Sequence, residues 1–115
     1  MKKFLLLLVC CLTVLVLAGC DSAVGTWKFV ERTSILGTVI RAGENNITED
    51  YLVIVFEKDG TGTFNQEDMS VIVAFEWTQE EDVIKVTGKL INFDAKIEDG
   101  YLIFEYAGST YKMKK

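Results

Sequence analysis

From residue 25 onward, apolar and polar positions alternate in short runs, and each run stops at a cluster of turn residues. A period of two sends alternate side chains to opposite faces of an extended strand. Residues 26–31 set Trp27 and Phe29 on one face, 51–57 set Leu52, Ile54 and Phe56, and 61–65 set Phe64. Residues 71–77 align Val71, Val73, Phe75 and Trp77, and 83–87 align Ile84 and Val86. Residues 89–98 align Ile91, Phe93, Ala95 and Ile97. Residues 101–106 offer Leu102, Phe104 and Tyr106, and 110–114 close with Tyr111 and Met113. Asp59-Gly60 and Asp99-Gly100 are pairs that accept the positive φ of tight hairpins. Polar stretches at 66–70 and 79–82, and Ala107-Gly108-Ser109, supply further turns.

Between residues 32 and 50 the alternation breaks. Ile35-Leu36 and Val39-Ile40 are apolar, but Gly37, Gly43 and Asn45-Asn46 interrupt them. The stretch admits a strand over 38–41, the reading preferred, or a lid-like loop with a helical turn begun at Thr48. Seven or eight strands at hairpin spacing predict an all-β, up-and-down antiparallel meander. Closing it into a barrel removes the edges that an open meander leaves for aggregation. Residues 25–115 show no linker or internal repeat and read as one domain.

The first 19 residues follow another rule. Lys2 and Lys3 precede an apolar run over 4–17, broken only by Cys10, Cys11 and Thr13, and the small pair Ala18-Gly19 follows. Positive start, apolar stretch and small-residue cleavage site are the three parts of a secretory signal. The run is shorter than the roughly 20 residues of a membrane-spanning helix. Leu17-Ala18-Gly19-Cys20 resembles the lipobox of bacterial lipoprotein precursors. That resemblance implies cleavage before Cys20 and lipid on its thiol. It makes 1–19 a lipoprotein signal peptide and 20–24 a lipidated N-terminus and short tether. The chain is then expected at the cell membrane, lipid-anchored on the extracytoplasmic face. An uncleaved N-terminal anchor with Cys20 a spectator is the alternative. Asp21 resembles the inner-membrane retention signal of some two-membrane bacteria, which leaves the choice of membrane open.

Loss of the signal changes the charge. The net charge of −5 includes Lys2 and Lys3, so the remainder is more acidic still. Nucleic acid is excluded as a partner, because its phosphates need Lys and Arg to release counterions. Cys10 and Cys11 leave with the signal, so no disulfide forms within the remaining chain, and apolar burial alone must stabilise it. The chain has no histidine, which removes the commonest general base and metal ligand together. Ser22, Ser34, Ser70 and Ser109 therefore lack a histidine partner. Glu67-Asp68 and Glu80-Glu81-Asp82 lack the spacing of a calcium loop. Asp59-Gly60-Thr61-Gly62 is followed by no helix to present amides to a phosphate. The expectation is a protein that is not an enzyme and holds no metal or cofactor.

Gly25-Thr26-Trp27 resembles the Gly-x-Trp signature that opens lipocalins and related calycin barrels. The later run Phe56-Glu57-Lys58-Asp59-Gly60-Thr61-Gly62-Thr63-Phe64, then Phe75-Glu76-Trp77 and Gly108-Ser109-Thr110-Tyr111-Lys112, resembles the short lipocalin-like domains of small bacterial lipoproteins. The resemblance implies a small lipocalin-like barrel. It also implies a Lys or Arg near the chain's end packed over the signature tryptophan. Lys112 and Lys114 alternate with Tyr111 and Met113 and so point outward. The late Thr-Asp-Tyr motif of lipocalins proper is missing; Thr48-Glu49-Asp50-Tyr51 lies too early and is one residue too long.

Trp27, Phe29, Phe56, Phe64, Phe75, Trp77, Phe93 and Phe104 form the candidate site, the lining of a pocket for a small apolar ligand. The same rings equally form a plain core, each contributing about 1.5–3 kcal/mol when buried. An eight-stranded barrel is just wide enough either to fill with side chains or to hold one small ligand. A filled barrel makes the protein a structural or protein-interaction module of the cell envelope, with an unidentified protein partner. Exposure of Tyr51, Val53, Val55, Tyr101 and Ile103 as a strip would favour such a partner.

Overall fold

The computed structural model describes residues 22–68 and 71–115. The signal, Cys20 and Asp21 lie outside the described residues, as do positions 69 and 70. Nine strands occur among the described residues: β1 Gly25–Thr33, β2 Val39–Arg41, β3 Leu52–Phe56, β4 Thr61–Gln66, β5 Val73–Glu80, β6 Val83–Thr87, β7 Asn92–Glu98, β8 Tyr101–Tyr106 and β9 Ser109–Lys114. A 3-10 turn, Glu49–Tyr51, precedes β3, capped by the Thr48 side chain. The interrupted stretch therefore holds the preferred short strand, over Val39–Arg41, followed by a helical turn capped by Thr48.

Consecutive strands from β3 to β9 pair antiparallel, and β1 pairs with β3 on one side and β9 on the other. Eight strands thus close the barrel. The ninth, β2, is an addition made possible by the length of β1. Residues 25–28 of β1 pair with β3, and Glu31, Arg32 and Thr33 pair with β2 beyond the point where β3 has ended. All nine strands of the described residues, and the β1–β9 closure, fall within 22–115, so this segment closes a barrel on its own.

Alternation holds along most of the wall. Ile91, Phe93, Ala95 and Ile97 are all buried, as are Leu52, Ile54 and Phe56, Ile84 and Val86, Leu102 and Phe104, and Tyr111 and Met113. One inward assignment fails. Val71 is 57% exposed, because β4 pairs with β5 only as far as Phe64 opposite Val73. The strand runs on instead to Glu80, through what the sequence reads as a turn, and the hairpin is confined to Glu81-Asp82. Tyr51, Val53, Val55, Tyr101 and Ile103 are half-buried. They form no exposed strip.

Packing inside is tight. At Gly62 an added Cβ would collide with the Phe75 ring and the Val55 carbonyl, so only glycine lets that ring lie flat against β4. No buried side-chain nitrogen or oxygen among the described residues lacks a partner.

Candidate functional site

The two ends of the barrel differ in chemistry. One end is sealed. Ala23 is fully buried, its amide donates to Oε1 of Gln79 at 2.9 Å, and its carbonyl accepts from Nε1 of Trp27 at 2.8 Å. Lys115 completes the seal, donating from Nζ to the Ser22 carbonyl at 2.8 Å with the ammonium 5.2 Å from the centre of the Trp27 ring. The cation over the signature tryptophan is therefore Lys115, one residue beyond the two that the alternation points outward. Nearby, Nε1 of Trp77 donates to the carbonyls of Glu57 and Thr61 at 3.0 and 2.9 Å. Its ring meets Phe56 edge-on at 5.2 Å, and Phe56 meets Phe75 at 5.5 Å. Packed structure thus begins upstream of Gly25.

The opposite end is bounded by β1–β2, β6–β7 and β8–β9 connections and the approach to β5. Here the interior rings form a wall. Phe93 stacks on Phe104 at 4.4 Å and Phe104 on Tyr111 at 5.1 Å, while Phe64 and Phe93 meet Tyr106 at 5.6 and 6.3 Å. Tyr106 is half-buried and lines a cleft of about 350 Å3 between Thr33-Ser34-Ile35 and the β8–β9 turn. The connections carry the most exposed aliphatics of the described residues, Ile35 at 85% and Leu36 at 90%, with Val71, Ile72 and Leu90 also exposed. This end is the barrel's mouth.

Within the mouth lies a polar group that alternation alone conceals. Phe29 pairs with Met113, but Glu31 pairs with Lys112, so Val30 is an extra residue in β1. Such a bulge reverses which side chains face inward and re-aims them. Arg32 then stands opposite buried Tyr111 and enters the barrel, and Glu31 turns outward to Arg41 at 3.4 Å. Nη1 of Arg32 donates to the Tyr51 hydroxyl at 3.1 Å, and Nε2 of Gln66 reaches the same hydroxyl at 3.4 Å. The Tyr51 ring leans on Phe29 at 4.9 Å. Burial pushes the Tyr111 phenol above the ordinary tyrosine value, and the neighbouring Arg32 guanidinium opposes that shift without cancelling it.

Segment 42–51 flanks this region from the side. Lys28, whose ammonium meets Asp50 at 3.2 Å and Glu49 at 3.6 Å, holds the 3-10 turn on the outer wall. A hydrogen bond to Asp50, reinforced by both carboxylate charges, raises the Lys28 ammonium above its usual value. A second cleft, about 450 Å3, runs beneath this segment and reaches Phe29.

The eight rings named from the sequence are thus divided. Trp27, Phe56, Phe75 and Trp77 pack the sealed end, and Phe64, Phe93 and Phe104 pack the mouth, with Phe29 between. All but half-buried Trp77 are buried. Arg32, Tyr51, Gln66, Tyr106 and Tyr111 join them at the mouth. The signal for Arg32 was a bulge, which leaves no mark in a pattern of alternating residues.

No family model and no curated protein matches the chain. Two solved structures do. A lipocalin-like protein from Bacteroides uniformis aligns with a TM-score of 0.54 at 17% identity, covering 80% of this chain and 96% of that one. An uncharacterized protein from Bacteroides eggerthii aligns at 0.52 and 16% identity, covering 82% and 99%. The barrel is lipocalin-like. At such identities the likeness speaks for the fold, and function must be read from the chain's own residues.

Proposed function

We propose that this protein is a membrane-anchored, non-enzymatic binding module that takes a small apolar ligand at the mouth of its barrel. The observation that carries the reading is the contrast between the ends. One is sealed by Ala23, Trp27 and Lys115, and the other carries an aromatic wall that ends at half-buried Tyr106 beside an exposed aliphatic rim. Barrel mouths are a common place for small-molecule sites, and clustered exposed apolar residues mark contact with something apolar. The ligand rests on Tyr106, behind which Phe64 and Phe93 pack, and the rings of the sealed end lie beneath them.

The anchor is lipid on Cys20. With Ser22 at the sealed end, that tether turns the mouth away from the membrane that holds it. Mass spectrometry of the protein isolated from its own membranes tests this, with diacylglycerol on Cys20 expected and an unmodified thiol overturning it. For ligand binding, segment 21–115 is exposed to lipid extract from its host and examined by native mass spectrometry. The expected result is a reproducible added mass that Tyr106→Asp removes while the fold is kept. A bare protein mass across extracts overturns the ligand reading. It would favour the filled-barrel interaction module, which the mutual contact of the interior rings also supports.

A further inference from the structure

We infer that Arg32 is an anion-binding subsite, so that the ligand of the mouth is an amphiphile with one acidic headgroup, a carboxylate or phosphate monoester, on an aliphatic tail. This inference rests on the proposed binding at the mouth and narrows its ligand class.

The route by which Arg32 reaches the interior is the first ground. Uninterrupted alternation from Trp27 and Phe29 would bring Glu31 inward and leave Arg32 outside. The extra residue at Val30 reverses the two. The barrel of an acidic protein thereby admits a cation and excludes the neighbouring carboxylate.

Its surroundings are the second. A guanidinium has five N–H donors, and the acceptor found for it is the neutral Tyr51 hydroxyl at 3.1 Å, with the Tyr111 phenol alongside. Among the described residues no carboxylate forms an ion pair with Arg32. A partly buried charge without a counter-ion is unfavourable, and arginine's planar fork suits carboxylate and phosphate groups. Glu105 is the carboxylate lining the cleft above Tyr106, and it sits on the outward face of β8, opposite Thr110.

The third ground is what adjoins the cation. Tyr111, Phe104 and Phe93 lead away from Arg32 as a stacked series, and Tyr106 and the exposed Ile35 and Leu36 continue to the rim. A charged head on Arg32 leaves an apolar surface for the tail. A bare anion would leave that surface unused.

The test compares decanoate with decan-1-ol, which share a chain length and differ in head charge, by titration calorimetry on segment 21–115. The expected result is decanoate bound about tenfold more tightly than the alcohol, the scale of one charge-assisted hydrogen bond. Arg32→Gln should bring decanoate down to the affinity of the alcohol, and Arg32→Lys should restore part of the preference. Equal loss of both ligands in Arg32→Gln, with the fold kept by near-ultraviolet circular dichroism, would mean that Arg32 only steadies Tyr51. The subsite would then fall and binding at the mouth would stand. Equal affinity of the unaltered protein for both ligands would likewise overturn the subsite alone. Binding of neither ligand would overturn the mouth reading for such amphiphiles, and the subsite with it. Should Arg32→Gln fail to fold, salt decides on the unaltered protein. Added salt should weaken decanoate relative to decan-1-ol, and an unchanged ratio would overturn the subsite.

Discussion

The Lys115 ammonium stands 5.2 Å from the centre of the Trp27 ring and donates to the Ser22 carbonyl at 2.8 Å. One side chain thus joins the residues that precede β1 to the far end of β9. Lys115→Met keeps the aliphatic stem and removes the charge. It should lower stability by about 0.5–1 kcal/mol, the range of an exposed cation–aromatic contact, and Lys115→Arg should retain most of it. Urea unfolding followed by tryptophan fluorescence measures both.

Residues 22–24 belong to the folded unit in the same sense. A chain begun at Gly25 loses the Ala23 carbonyl that accepts from the Trp27 indole, leaving a buried donor without a partner. The expected loss is about 2–3 kcal/mol relative to a chain begun at Ser22. Equal urea midpoints for the two chains would show that the segment contributes nothing.

Much of this arrangement was legible in the sequence, and the gaps have physical causes. Alternation reports which face a residue takes as long as the strand is regular, and it points Phe93, Ala95 and Ile97 inward, where they are buried. It fails where an extra residue enters, and Val30 therefore hid Arg32. It also fails at strand ends, where pairing and not hydrophobicity decides; Val71 is apolar but has no neighbour across the ladder. Ala23 and Lys115 lie beyond the alternating region altogether, so no periodicity could give their contacts. Whether the rings pack or line a pocket was illegible for another reason, since both outcomes need the same residues facing inward.

Gly62 is where the interior tolerates least. Gly62→Ala drives a methyl group into the Phe75 ring and the Val55 carbonyl, and overpacking of this kind should cost about 2–3 kcal/mol. The paired change Gly62→Ala with Phe75→Leu should recover part of the loss in thermal unfolding.

The β8–β9 hairpin holds a correctable strain. Ala107 has φ 53° and Gly108 φ 82° in the two-residue turn between Tyr106 and Ser109. A left-handed backbone costs an ordinary L-residue roughly 1–2 kcal/mol, and Asn-Gly is the pair best suited to such a turn. Ala107→Asn should therefore raise stability by about 1 kcal/mol, visible as a higher midpoint in thermal unfolding.

Stability should depend on pH at the extremes. Tyr111 is raised by burial, so folding favours its neutral form. Its contribution is fully present below the unfolded tyrosine value and is lost as pH rises through the folded one. Asp59 is lowered, chiefly by hydrogen bonds from the Thr61 hydroxyl and amide. Its contribution is present above the unfolded aspartate value and is lost as pH falls through the folded one. Tyr111→Phe should flatten the alkaline arm of a stability–pH curve and leave the acidic arm unchanged.

Closure of the barrel also sets an order in time. The pairing of Lys28 with Lys114 unites strands from nearly opposite ends of the barrel chain. As the chain emerges from the ribosome, β1 waits for β9 while each intervening hairpin forms as it appears. The closing ladder joins the residues most distant in sequence, the kind of contact that slows folding. Until the last strand arrives, the nascent protein is an open sheet in need of protection.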